Sequence, residues 1–516
     1  MKNKNKLIAV IDIGSHSIRL FIGSIVRKGY FKDIENLWVP ILIGKDTFSK
    51  GIISNQTIRE VITVMKNFKE VIDGYKIDLV KAIGTSSIRE AANADVLIER
   101  ILNATGIRIE IIEPIVETRI FYNGVKRLMK DRFGFQFEKV LLFSIGGGAT
   151  QIVLQNENKV IFSETHNQGT LRILRNFEIP EKFITQTLRP FSYRFTNMLN
   201  HFTNIEDITR FVVLNDDVLN LIKQIHEEKE VQGIYRITKK KILSFYNEVK
   251  AMTPQDLKKK FGINENVSGT TWVAFLLVGM LYKLTGAKEV LFPDISMSKA
   301  MLNQLSFREE NLLKMDEETK KDVISAAHHI GRKFKFDETH ADYVAKIALS
   351  IFDQMRDIYG FDKKERLYLE VAAILHDIGS FVSSSNHHKH SQRLISFCEI
   401  LGLDNSEIQL IALIARYHRR AIPKPSHTDF TNLSREGRII VSRLAAILRI
   451  ADGIDNSHTQ VIQDLKINII EDKCEILVKL PMDKGDYLDI LRFSVAQKSD
   501  LFENFFGLRV ILESML

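Results

Sequence analysis

Two glycine-rich segments of the chain carry the residue types that hold anions. Gly14-Ser15-His16-Ser17 and Gly146-Gly147-Gly148-Ala149-Thr150 each lie between two apolar runs. Turns of small residues let several backbone N–H groups converge on one anion, because no side chain blocks the approach. The two segments are related: Ile11–His16 aligns with Phe143–Gly148 at an offset of 132 residues. A duplicated hairpin of this kind sets two phosphate-friendly loops face to face across a cleft. A third stretch, Ser268-Gly269-Thr270-Thr271, reads as a turn entering a helix whose N-terminus favours anions.

A different chemistry gathers later in the chain, where ten of the fourteen histidines follow residue 315. The residues of interest are His340, the His376-Asp377 doublet, His388, His390, His418 and Asp452. A His-Asp pair at the end of an apolar helix puts an imidazole and a carboxylate on one ion. Distant His and Asp residues then complete the shell. His328 and His329 fall outside this pattern and read as surface residues.

The elements that must position these groups alternate in type. LIAVIDIG and SHSIRLFIG read as two strands around the first loop, and VLLFSIGGG and ATQIVLQ as two strands around the second. Apolar residues at 58, 61, 62, 65, 68, 71 and 72 have the spacing of an amphipathic helix over Gln56–Ile72. Strand, helix, strand and helix follow over Asp78–Ile83, Ser87–Ala104, Arg108–Ile112 and Glu117–Lys130, which argues for an α/β layer architecture. Residues 182–260 read as largely helical, Glu289–Pro293 as a strand, and the chain beyond 320 as almost all helix with one late β-like stretch, Leu465–Leu480. The expected domains are 1–130, 131–305, a polar linker at 306–319, and 320–516.

Composition sets the limits. With 516 residues, 45% hydrophobic and 26% charged, the chain is an ordinary globular one. Two cysteines are too few for a disulfide framework or a cysteine-rich zinc site. The longest apolar run, Val273–Tyr282, is too short to cross a bilayer, and no signal peptide precedes the first strand, so a cytoplasmic protein is expected. The net charge of +8 divides into +11 over residues 1–315 and −3 over the remainder. A basic first part is suited to a polyanion and a histidine-rich second part to a metal.

The segments AVIDIGSHSIRLFIG, IGTSSIREAANAD, IIEPIVETRIFYNGV, FSIGGGATQIVL and NVSGTTW occur in an order that resembles the exopolyphosphatase / guanosine pentaphosphate phosphohydrolase (Ppx/GppA) family. The resemblance covers roughly residues 7–305. It implies two actin-like (ribonuclease H-like) α/β domains with a central cleft, and release of a terminal phosphate from polyphosphate or from guanosine pentaphosphate. By that resemblance Gly14, Ser15, His16, Gly146, Gly147 and Gly148 contact phosphate, and Arg89 clamps its oxygens. Asp12 holds Mg2+ or the attacking water, and Glu117 is the general base. The helical remainder resembles an all-α HD-type metal phosphohydrolase domain, in which His340, His376, Asp377 and Asp452 bind Mg2+ or a transition metal. His388, His390 and His418 would serve a second ion or a phosphate. A homodimer is implied by the resemblance alone, and no motif predicts a nucleic-acid partner.

The sequence departs from the family pattern where that pattern is most chemical. Ser144 and Gln151 stand where carboxylates are usual in the second loop, His16 stands for asparagine, and the segment Asp294–Ala300 is eroded. Three readings therefore stay open: hydrolysis in the cleft, hydrolysis at the HD-type centre, or a sensor that binds polyphosphate or guanosine tetra/pentaphosphate without cleaving it.

Overall fold

Strands β1 (Lys6–Ile13), β2 (Ser17–Arg27), β3 (Tyr30–Pro40), β4 (Leu79–Gly84) and β5 (Ile109–Ile111) form a mixed sheet in the order β3-β2-β1-β4-β5. β1 runs antiparallel to β2 and parallel to β4. Strands β6 (Val140–Ile145), β7 (Thr150–Asn156), β8 (Lys159–His166), β9 (Arg210–Leu214), β10 (Ile234–Thr238) and β11 (Glu289–Pro293) form a second, ordered β10-β11-β9-β6-β7-β8. Its β6 is likewise antiparallel to β7 and parallel to β9. This computed structural model describes residues 6–27, 30–129, 138–176, 184–225, 233–307, 317–481 and 487–515.

The expected helix over 56–72 spans Asn55–Gly74, and its predicted apolar stripe is buried at Ile58, Val61, Met65, Phe68 and Ile72. Ser54 caps it by accepting from the Thr57 N–H at 3.2 Å. That stripe closes the first sheet's core with Ile11, Ile13 and Leu20. The helix Glu265–Tyr282 is buried on all sides, from Val267 to Tyr282, in the second sheet's core. A helix with no polar face belongs in a protein interior.

Three expectations need amendment. The region 182–260 is largely helical as expected, but two short strands, β9 and β10, also lie in it. β9 is five residues long and sits between β11 and β6; so short an apolar run has no periodicity of its own. The expected helix over 87–104 is broken into Ser86–Arg89 and Ala94–Thr105. The later part of the chain is not all-α: β12 (Asp464–Ile470), β13 (Lys473–Lys479) and β14 (Arg509–Ser514) make a three-stranded sheet. The hairpin is the anticipated β-like stretch, and a C-terminal strand joins it in parallel.

Residue contacts divide the chain into Met1–Met315 and Asp316–Leu516. The division falls within the expected 306–319 linker, most of which lies outside the described residues, as does the expected boundary at 130–131. Among the described residues no helix is long and apolar enough to cross a membrane.

Leu276 is fully buried. Leu276→Ala should lower the stability of the first unit by about 2–5 kcal/mol through transfer and cavity costs. Urea unfolding followed by tryptophan fluorescence measures it, since the buried Trp272 lies on the same helix.

Candidate active site

The 132-residue offset persists in the hydrogen bonds. The Gly14 N–H donates to the Ser17 carbonyl at 2.9 Å, and the Gly146 N–H to the Ala149 carbonyl at 2.8 Å. Cross-strand pairs keep the same offset: Asp12 faces Arg19 as Ser144 faces Gln151. Each loop is thus a hairpin turn closed by one bond. Among the described residues no carbonyl accepts from the amides of Ser15, His16, Gly147 or Gly148, which leaves them for an anion.

The loops meet across a cleft of about 150 Å³. A side chain on Gly147 would overlap the His16 ring, and one on Gly148 would overlap Ser86 and Phe48. Ser15 Oγ lies 3.1 Å from Ser86 Oγ, and His16 Nε2 3.2 Å from Thr170 Oγ1. Burial pulls the His16 imidazole down to about 4, so it is neutral and bridges the loops rather than charging them. Arg172 braces the second loop, donating from Nε to the Gly148 carbonyl at 2.8 Å while it stacks on Phe48 and pairs with Glu90.

Asp12 and Glu117 both line the cleft. Glu117 lies in the first turn of the helix Pro114–Met129. Burial lifts it to about 7, against Arg89 and with help from Asp12, while Gln151 hydrogen-bonds to it. Burial likewise lifts Asp12 to about 6 against the pull of Arg19, and Asp12 Oδ1 is buried without a partner. Arg89 Nη1 donates to the Ile112 carbonyl at 2.6 Å and Nη2 is buried unpaired. Arg89 therefore acts on Glu117 from behind rather than lining the cavity.

Sequence reasoning missed three cleft residues: Arg19, Asp216 and Asp217. Arg19 pairs with Asp216 at 2.5 Å. Burial and the neighbouring Asp216 lift Asp217 to about 7. The two aspartates open the helix after β9, and the available signal was the pattern of an apolar run followed by Asn-Asp-Asp. Ser268, Gly269 and Thr270 are not a turn at the cleft. They lie inside the helix Glu265–Tyr282, where Ser268 Oγ donates to the Glu265 carbonyl and Thr270 Oγ1 to that of Val267, and none of the three lines the cleft.

The second unit gathers its own cluster. Asp452 Oδ1 lies 3.7 Å from both His340 Nε2 and His376 Nε2. Asp377 Oδ1 lies 3.8, 3.1 and 3.4 Å from the Nε2 atoms of His376, His387 and His418. Each of the four rings has its Nδ1 held by an oxygen: Asp455 for His340, and the carbonyls of Ala373, Ser384 and Ala415 for the others. That arrangement turns the Nε2 of each ring toward Asp377 or Asp452, the orientation in which metal-ligating histidines present it. His340 Nε2, His376 Nε2 and Asp377 Oδ1 are buried without hydrogen bonds. Lys498 holds the outer Asp452 oxygen at 2.5 Å. His387 was missed in favour of His388 and His390. His388 is buried with its ring centre 6.4 Å from that of His418, and His390 joins no three-donor group. Among the described residues every such group lies in this unit, and Asp377 belongs to two of them. His328, read as a surface residue, belongs to the third, with Glu338 and Asp342.

Residues 24–268 match the Ppx/GppA phosphatase family, and residues 324–497 match Ppx/GppA phosphatase, domain III. The chain belongs to the Ppx/GppA phosphatase family. It is 20% identical over 468 residues to a guanosine-5'-triphosphate,3'-diphosphate pyrophosphatase of Photobacterium profundum, covering 86% of each chain. An exopolyphosphatase structure from Cytophaga hutchinsonii superposes on 60% of this chain and 99% of its own, with 21% identity and a TM-score of 0.51. The Ppx/GppA family member from Aquifex aeolicus superposes on 59% and 99%, with 22% identity and a TM-score of 0.50. These likenesses carry the two-domain α/β fold of the family onto the first unit.

The cleft gathers three carboxylates, Asp12, Glu117 and Asp217, that burial makes harder to ionise, and that has a consequence for stability. Asp12, Glu117 and Asp217 hold protons more tightly when folded than when unfolded. Their contribution is full below about pH 4 and is lost as pH rises through 6 to 7. In metal-free buffer the first unit should melt at lower temperature at pH 8 than at pH 5. Mg2+ should raise the midpoint more at pH 8, and Asp12→Asn should diminish that response. Calorimetry at the two pH values measures it.

Proposed function

We propose that the cleft hydrolyses the terminal phosphoanhydride of polyphosphate or guanosine pentaphosphate. The observation that carries this is Glu117, a buried carboxylate held near neutrality in the wall of a cleft bounded by two anion-type loops. A base with a pKa close to the working pH is half ionised and still takes a proton readily. In this reading the amides of Ser15, His16, Gly147 and Gly148 hold the terminal phosphate, and Glu117 takes the proton of the attacking water. Arg89 keeps Glu117 ionisable, and Gln151 orients its carboxyl group. Asp12 suits Mg2+, which is usually bound by one or two carboxylates together with substrate phosphates. When present it neutralises the charge of the transferring group.

Gln151 changes the family's scheme in one respect. A carboxylate there would repel Glu117, whereas the amide hydrogen-bonds to it. This supports a cleft that stays catalytic with fewer negative charges. Glu117→Gln should lower kcat for phosphate release by about 100-fold or more. The wild-type rate should rise with pH through about 7, because the base works ionised, and the variant should lack that limb. A pH–rate profile with tripolyphosphate checks both.

A second reading rests on the convergence of His340, His376, Asp377, His387, His418 and Asp452. Two ligands on one ion with bonds of ~2.1 Å stand about 3 Å apart, which supports an HD-type centre binding Mg2+ or a transition metal; an imidazole-rich set favours the latter. The ion would supply Lewis-acid polarisation of a phosphate oxygen. Wild-type protein loaded with Mn2+ and desalted should retain stoichiometric metal, and Asp377→Asn, which alters the ligand shared by both groups, should lose most of it. Elemental analysis decides, and a metal-free wild type would remove this reading.

A further inference from the structure

The cleft continues past Trp38 into a second chamber of about 390 Å³, with Arg19, Trp38, Asp216 and Asp217 lining both. The route is set by strand register. Asp12 on β1 faces Arg19 on β2, which faces Trp38 on β3. Directly opposed residues share a face of the sheet, so the three form a rank leading away from the proposed metal ligand. Trp38 stands two strand spacings from Asp12, about 10 Å. Its indole is 38% exposed, in a cavity of a size that takes small organic ligands.

The chamber's charges are already matched. Asp294 holds Lys223 at 2.8 Å and Lys299 at 3.5 Å, and Asp216 holds Arg19. A channel for an extended polyphosphate needs unpaired cations along its length, and this one offers none among its described lining residues. It offers amides instead: Asn36, Asn220, Gln224 and Asn264. Gln224 uses one N–H on the Phe261 carbonyl at 2.9 Å, and Asn264 accepts from the Asn266 N–H at 2.9 Å; each is thereby held in place with further donor or acceptor capacity. A flat indole face with fixed amides is the chemistry that receives a heteroaromatic base.

We propose that this chamber holds the nucleoside of a nucleoside oligophosphate whose terminal phosphate lies between the two loops. The proposal rests on the cleft's reading as a phosphohydrolase site and selects among its substrates, placing nucleotides ahead of inorganic polyphosphate.

The test uses the full chain and two probes, GTP and inorganic tripolyphosphate. Trp272 is 2% exposed, so quenchable emission comes from Trp38. GTP should quench it saturably and tripolyphosphate should not. The ratio of kcat/KM for GTP to that for tripolyphosphate should fall about 10-fold in Trp38→Ala, chiefly through KM for GTP, and should recover in Trp38→Phe. Asn220→Ala, at an exposed helix position, should lower the same ratio and guards against misfolding of the tryptophan variant. Equal quenching by both probes, or an unchanged ratio in both variants, overturns the proposal. The quenching arm needs no turnover, so failure of the cleft's hydrolytic reading shows separately, as phosphate release indifferent to Glu117→Gln.

Discussion

The close approach of two hairpin turns is the constraint from which the first unit's chemistry follows. Gly147 packs on His16, Gly148 on Ser86 and Phe48, and Gly169 on the backbone of the second loop itself. At each of these positions a Cβ would occupy space already filled, so only glycine lets the loops converge. Convergence brings Ser15, His16, Gly147 and Gly148, whose amides have no carbonyl partner among the described residues, to the wall of one small cleft beside the carboxylates. The raised pKa values of Asp12, Glu117 and Asp217 are thus a consequence of backbone packing. Desolvation that would be costly in a core here holds the Glu117 carboxyl group near neutrality.

The net charge of the chain points the other way from the charge of the site. Residues 1–315 carry +11, yet the cleft brings Asp12, Glu117, Asp216 and Asp217 around one lining cation, Arg19, and Arg19 is paired. The positive excess draws anions toward the surface. The cleft then needs a divalent cation and backbone dipoles to receive them. The second loop's Ser144 and Gln151 belong to the same balance. With Asp216 and Asp217 present, carboxylates at those two positions would add like charges to a volume that already strains to ionise its own.

What could be read from the sequence was what repeats or is periodic. The loop pair was visible because Gly14–Ser17 and Gly146–Ala149 keep one offset, and the helix over 55–74 because its stripe is regular. β9 was not visible, since five residues carry no period and its partners are distant in sequence. Asp216 and Asp217 fell with it, because a strand-end residue is read as functional only once the strand is known. Ser268–Thr270 failed for the opposite reason. Small hydroxyl residues suggest a loop, but here they bond back to their own helix inside a buried segment whose packing overrides local preference.

The histidine cluster shows where composition stops and helix phase begins. His387, His388 and His390 are equivalent in a list of residues, yet only His387 joins a donor group. The helix starts at His387 after Asn386 in a left-handed conformation, φ 61°, and that turn aims the first ring at Asp377. Arg420, also left-handed at φ 60°, donates to the Asn386 side chain at 2.9 Å, so the two unusual backbones are held together. Arg449, fully buried, donates to the carbonyls of Tyr417, Arg420 and Lys498, tying the His418 turn to the residue that holds Asp452. The six donor atoms are therefore positioned by backbone geometry and one buried guanidinium, together with the Asp455 and Lys498 contacts. Support from outside the cluster fixes where its rings and carboxylates point, so their arrangement belongs to the fold and not only to the attraction between imidazole and carboxylate.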